Sequence, residues 1–289
     1  MIKKILGFLP VIISSCSSVL PLEAAIELPS IFSDHMVLQR DKPIPIWGWS
    51  DEGQEVKVSF GGNSARAMVG EDGRWQVDLP PMSANAQGRT LTIEGDLKIV
   101  ITDVLVGEVW VCSGQSNMEW SVNGALNPNE ERQAADHPII RHIKVPKVPS
   151  DSHERNFDAN WQVCSPATAG GFTAVGYYFG RTLKQELDVP IGLINSSWGG
   201  TRIEPWMPIE GYRIITNQGF AQEVIRRVDA VDPATEEGKA RHLAGIQSMR
   251  DWVEQAEKAV HAGKFPPNRP ATAQVGIGTS HQDPTRLYR

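Results

Sequence analysis

Between about residue 26 and residue 103 the chain alternates apolar and polar positions in short runs. Val37-Leu38-Gln39, Ile44-Pro45-Ile46-Trp47-Gly48-Trp49, Val56-Lys57-Val58-Ser59-Phe60, Trp75-Gln76-Val77-Asp78-Leu79, Leu91-Thr92-Ile93 and Ile99-Val100-Ile101 each have the length of a strand. Asp51-Glu52-Gly53, Phe60-Gly61-Gly62-Asn63 and Asp72-Gly73 punctuate them as turns. Short strands between glycine-rich turns predict an all-β, sandwich-like domain over 26–103. Pro43 and Pro45 mark an edge or entry strand, because proline cannot donate to a sheet ladder. From about 104 the rhythm changes. Val109–Cys112 and Ile139–Val145 read as strands, and Val175, Phe179, Leu183 and Leu187 recur every fourth residue as on one face of a helix. Pro190 follows, and Ile191–Asn195 returns as a strand. That alternation predicts βαβ units on a parallel sheet over 104–289. Residues 220–262 are rich in Ala, Glu, Lys and Arg and predict a helical insertion near the mouth of a site, with a loop-rich tail from 263 to 280.

The first residues do not belong to this pattern. Met1-Ile2-Lys3-Lys4, an apolar run from Ile5 to Ile13, and small residues ending at Ala24-Ala25 have the layout of an export signal over 1–25. The run is too short to span a bilayer. Ile13-Ser14-Ser15-Cys16 also resembles a lipoprotein processing site, which would put a lipid anchor on Cys16. The expected location is therefore periplasmic or secreted. The formal net charge is −6, and residues 1–25 carry a net +1 from Lys3, Lys4 and Glu23, so the remainder carries −7. No basic cluster favours nucleic acid. Nine tryptophans offer flat apolar faces that suit sugar rings and also fill cores. Past the signal only Cys112 and Cys164 remain, as a bridge or as two buried thiols. No Cys-x-x-Cys or His-Glu-x-x-His spacing for a metal occurs.

The candidate chemistry lies in Val109-Trp110-Val111-Cys112-Ser113-Gly114-Gln115-Ser116-Asn117-Met118. A buried parallel strand ends in a glycine that allows a sharp turn, and a serine follows with its hydroxyl at the end of the sheet, where parallel sheets bind ligands. An ordinary strand followed by a polar loop has the same pattern. Gly114-Gln115-Ser116-Asn117-Met118 followed by Glu119-Trp120 resembles the nucleophile block of the sialate O-acetylesterases, carbohydrate esterases of the SGNH-hydrolase superfamily. Ile191-Gly192-Leu193-Ile194-Asn195-Ser196-Ser197-Trp198-Gly199-Gly200-Thr201, then Arg202-Ile203-Glu204-Pro205-Trp206, is similar to a second family block, and Leu28–Gln39 to the entrance of the family's N-terminal domain.

The resemblance implies an SGNH-type α/β esterase domain behind the β-rich one, and removal of O-acetyl groups from sialic acid or related sugars. It implies acyl transfer to Ser116 and hydrolysis by water, with no metal or organic cofactor. It assigns oxyanion donors to the N–H of Ser116 and to Gly200 or Gly199, with Gly200 preferred; a turn needing glycine for shape alone is the other reading. It places Gln115, Asn117, Trp120, Arg202, Glu204 and Trp206 beside the pocket, either binding substrate or bracing the loop through an Arg–Glu pair. The family's Asp-x-x-His and Gln-Gly-Glu-Ser blocks do not occur in the sequence. His281-Gln282-Asp283-Pro284-Thr285-Arg286-Leu287-Tyr288 resembles the stretch that precedes the latter. The expectation is a domain incomplete at its C-terminal side, without its base. His242, His261 and His281 have no Asp three residues ahead and are not assigned as catalytic. An acetylxylan-type esterase and a carbohydrate-binding remnant without turnover are the competing readings.

Overall fold

The structure, a computed structural model, describes residues 26–150, 152–215, 218–270 and 280–287. Residues 1–25, read above as an export signal and including Cys16, and positions 271–279 of the tail lie outside the described residues. In chain order the elements are β1 (Val37–Gln39), β2 (Ile44–Trp49), β3 (Glu55–Phe60), β4 (Asn63–Met68), β5 (Arg74–Leu79), β6 (Asn85–Glu94), β7 (Lys98–Gly114), α1 (Ser116–Glu119), α2 (Pro128–Gln133), β8 (His137–Lys144), β9 (Gln162–Cys164), α3 (Ala174–Leu187), β10 (Ile191–Ser197), α4 (Ile209–Ile214), α5 (Gly219–Asp229) and α6 (Glu236–His261).

One sheet runs in the order β4-β3-β6-β7-β10-β8-β9, with β1 beside β7, and β2 and β5 form a separate antiparallel ribbon. The ribbon's inward residues Ile44, Ile46, Trp75, Val77 and Leu79 share a buried core with Val56, Val58, Leu91 and Ile93 of β3 and β6. Alternation of period two puts these residues on the facing sides of two β layers. Strand β4, Asn-Ser-Ala-Arg-Ala-Met, carries too little apolar contrast to be read from sequence.

Strand β7 joins the two halves of the molecule. Its first part pairs antiparallel with β6 through Val106, and its second part, Glu108 to Gly114, pairs parallel with β10. The boundary drawn at 103/104 thus falls inside one continuous strand. Asp103 sits there at φ 53, a left-handed conformation that aspartate tolerates better than bulkier residues. Its carboxylate is held at 2.6 Å by the buried guanidinium of Arg141 and at 2.7 Å by His35 Nδ1.

Helix α3 forms where the sequence places it, capped by Thr173, whose hydroxyl accepts the N–H of Gly176. The face it buries is not the predicted stripe. Ala174, Gly176, Tyr177 and Gly180 are buried, whereas Val175, Phe179 and Leu187 are exposed. Close approach decides the face: a Cβ on Gly176 would lie 2.8 Å from Cys112 Sγ, and one on Gly180 would lie 3.3 Å from Ile191. Phe179 instead meets Trp110 of β7 edge-on, with centroids 4.9 Å apart. On that side β7 has no strand partner beyond β1 among the described residues. The Gln39 side chain accepts the Val109 N–H at 2.9 Å; Val111, 67% exposed, and Ser113 follow on the same edge. Cys112 and Cys164 are both buried free thiols, their pKa values pushed up by burial to about 11 and about 12. Asn195-Ser196-Ser197 has the spacing of a glycosylation acceptor, but Asn195 is buried in β10.

Candidate active site

Parallel strands β7 and β10 end side by side, and both candidate blocks hang from their C-terminal ends. Gly114 closes β7 at φ 141, a conformation rarely open to side chains, and its carbonyl accepts the Trp198 N–H at 3.0 Å. That bond fixes the start of the Trp198-Gly199-Gly200 turn against the start of α1. Ser116 opens α1, where first-turn N–H groups have no intrahelical acceptor. Its hydroxyl is exposed. The Gly200 N–H donates to Ser116 Oγ at 3.2 Å, and Ser116 Oγ–H donates to Gln115 Oε1 at 3.0 Å. An amide oxygen holds a hydroxyl in place but does not take up its proton at neutral pH. Among the described residues no histidine or carboxylate hydrogen-bonds Ser116.

The two glycines of the turn differ. Gly199 donates its N–H to Glu119 Oε2, so that donor is already engaged. A Cβ there would lie 2.8 Å from Glu119 Oε2 and 3.4 Å from Ser116 Oγ. Gly200 has φ +78 with open space around it, and its N–H is the one aimed at the hydroxyl. Glu119 also takes an ion pair from Lys147. The Lys147 hydrogen bond, and after burial's opposing effect the Gly199 N–H, hold its carboxyl below the usual range. From sequence Glu119 stands only as a member of the nucleophile-like block, with no role of its own, and Lys147 is not named. Glu119 had a faint signal, three residues after Ser116 on a helical turn; Lys147, in the loop after β8, had none.

A cleft of about 410 Å³ opens over Ser116, walled by Glu119, Trp120, Ser121, Gly124 and Gly199. Trp120 is 59% exposed there, with Gly124 against its ring. A second cleft of about 660 Å³ starts at Gly200 and includes Arg202, Glu204, Phe220, Arg227 and Gln282. Helix α5 of the helical segment supplies Phe220 and Arg227 to that wall. Arg202 and Glu204 do not pair with each other. Instead Gln282 braces the turn, donating to the Gly200 carbonyl at 2.7 Å and accepting the Arg202 N–H at 3.2 Å. Trp206 Nε1–H donates to Thr201 Oγ1 at 2.9 Å, so its indole supports the loop. Asn117 is exposed and lines neither cleft. His281 stacks flat on Trp198, centroids 4.4 Å apart, beside the turn and without a bond to Ser116.

A mixed sheet with parallel strands, helices packed on it, and a serine presented at a strand end place the chain in the α/β hydrolase-like class. The description "carbohydrate esterase, sialic acid-specific acetylesterase" matches residues 106–279. Sialate O-acetylesterase of Rattus norvegicus is 33% identical over 197 residues, covering 61% of this chain and 36% of that protein. The sialate O-acetylesterase of Homo sapiens is 32% identical, covering 61% of this chain and 38% of its own length. The crystal structure of a carbohydrate acetylesterase from Xanthomonas citri superposes with a TM-score of 0.63 at 40% identity, over 67% of this chain and 45% of that one. The chain belongs to the sialic acid-specific acetylesterase family of carbohydrate esterases. It spans about 36% of the length of the first curated relative it matches.

Proposed function

We propose that the chain carries the nucleophile of an exported carbohydrate O-acetylesterase that removes acetyl groups from sialic acid or related sugars. The observation that carries this reading is the Gly200 N–H at 3.2 Å from Ser116 Oγ, at the end of a parallel strand. The chemistry runs from those atoms. Ser116 Oγ attacks the acetyl carbonyl and gives its proton to a base. The developing oxyanion takes hydrogen bonds from the Gly200 and Ser116 N–H groups, which cost little to reorganise because the turn is fixed. The sugar leaves as its alcohol, and water releases acetate from the acyl-enzyme. Trp120 offers a ring face to the sugar, and Arg202 and Glu204 offer charge beyond the turn. Export, with a lipid on Cys16 as its second form, rests on residues 1–25. Among the described residues no helix is long and apolar enough to cross a membrane.

A second reading, a carbohydrate-binding protein without turnover, is favoured by one observation: the Ser116 hydroxyl donates to the Gln115 amide, and no histidine or carboxylate among the described residues hydrogen-bonds it. Acetate release from a panel of acetylated sialosides and xylans, with Ser116→Ala as blank, decides. Release from sialosides that depends on Ser116 supports the first reading. Preference for xylan moves the substrate, and binding without release supports the second.

A further inference from the structure

Two consecutive N–H groups of the glycine turn go to two residues of the same helical turn. Gly200 donates to Ser116, and Gly199 donates to Glu119. Residues three apart are neighbours on a helix, so Ser116 and Glu119 form adjoining acceptors on the four-residue α1. The turn is thereby docked on the element that carries the nucleophile, and the Gly200 donor cannot swing without breaking the Gly199 bond. Glu119 is itself tied: its other carboxylate oxygen takes the Lys147 ammonium, which also lies 5.7 Å over the Trp198 ring. Lys147 thus holds both the acceptor and the first residue of the turn. With each carboxylate oxygen already bonded to another partner and no bond to Ser116, Glu119 is not placed to act as the base.

We propose that Glu119, anchored by Lys147, is the positioning residue of the oxyanion turn: it takes up the Gly199 N–H and so fixes the Gly200 N–H beside Ser116 Oγ, where the oxyanion of the attacked ester develops. The carboxyl is held ionised at neutral pH, which makes both bonds charge-assisted. The proposal also accounts for glycine at 199, where a Cβ would press on Glu119 Oε2 and Ser116 Oγ. Its kinetic consequence rests on the esterase reading; its structural consequence does not.

The test uses the full chain with Glu119→Ala, Glu119→Gln, Lys147→Met and Lys147→Arg. Hydrogen exchange at single-residue resolution on dilute protein follows the Gly199 amide, with the Leu193 and Ile194 amides of β10 as a check on the fold. Glu119→Ala should speed Gly199 exchange about tenfold or more while β10 stays protected, since a lost local bond opens locally. Glu119→Gln keeps an acceptor oxygen and should restore part of the protection. Lys147→Arg should behave as wild type and Lys147→Met should not. Where the wild type releases acetate, Glu119→Ala should lower kcat with KM unchanged, and Glu119→Gln should recover part of it. Unchanged Gly199 exchange in Glu119→Ala overturns the proposal, as does unchanged kcat. If Glu119→Ala loses β10 protection, Glu119→Gln and Lys147→Met decide by the same measures. If the wild type releases no acetate from any substrate, the esterase reading fails and the exchange data still decide this one.

Discussion

The Gly200 amide lies 3.2 Å from Ser116 Oγ although 84 positions separate the two residues. The contact exists because β7 and β10 are parallel neighbours in register, Ser197 opposite Gly114, so both chains leave the sheet at one level. The candidate nucleophile and the candidate oxyanion donor are thus brought together by the register of two neighbouring strands.

Replacing Gly200 tests the donor. A Cβ there meets nothing within 4 Å, so the effect comes from the backbone: φ +78 is left-handed, where a branched side chain is strained. Gly200→Val should twist the N–H off Ser116 and remove about 3–4 kcal/mol of transition-state stabilisation, roughly a hundred- to a thousand-fold in kcat. The far-ultraviolet spectrum and the unfolding midpoint should change little. Wild-type kinetics would move the donor elsewhere.

Ser116→Ala should abolish acetyl-ester turnover and leave stability within about 0.5 kcal/mol, because the hydroxyl is exposed. A fluorophosphonate should label Ser116 and no other serine. Peptide mass spectrometry reads the site; full activity in the alanine variant removes Ser116 from the mechanism.

His142 sets an acid limit on stability. Its ring is buried against Phe172, centroids 4.3 Å apart, and burial lowers its pKa from 6.5 to about 3. The folded state therefore refuses a proton that the unfolded chain accepts. Its contribution is fully present above pH 6.5 and is lost as pH falls toward 3, at about 1.4 kcal/mol per pH unit. Urea midpoints between pH 7 and pH 4.5 should show a shallower slope in His142→Phe. Equal slopes would place the acid sensitivity elsewhere.

Residues 26–289 should hydrolyse 4-nitrophenyl acetate slowly yet measurably faster than Ser116→Ala, since Ser116 has only an amide acceptor among the described residues. They should also self-associate through the bare edge of β7, where Trp110 and Val111 are exposed beside Val175 and Phe179. Val111→Lys should raise the monomer fraction in sedimentation velocity. Robust Ser116-dependent turnover would show that a base lies within these residues.

The sequence revealed what is decided locally. Glycine at 114 and 200 announces turns, and the strands before them follow from runs of apolar residues whose period needs no tertiary knowledge. The buried face of α3 was not legible. Gly176 and Gly180 carry no hydrophobic signal, yet they let the helix lie on Cys112 and Ile191, leaving the more apolar Val175 and Phe179 outside. The continuity of β7 was hidden because the polar pair Thr102-Asp103 interrupts the apolar positions on either side, and Arg141, 38 positions on, holds the Asp103 carboxylate only in the fold. Glu119 and Lys147 met only through folding.

That single strand has a further consequence for how such a protein can be rearranged. Val104 and Val106 are completed in the core by the β-rich half, and the same backbone runs on to Gly114. A crossover between genes at this seam would cut through the member that aims the serine. An exchange of the β-rich half for another would therefore have to carry β7 whole, with its joints outside Lys98–Gly114.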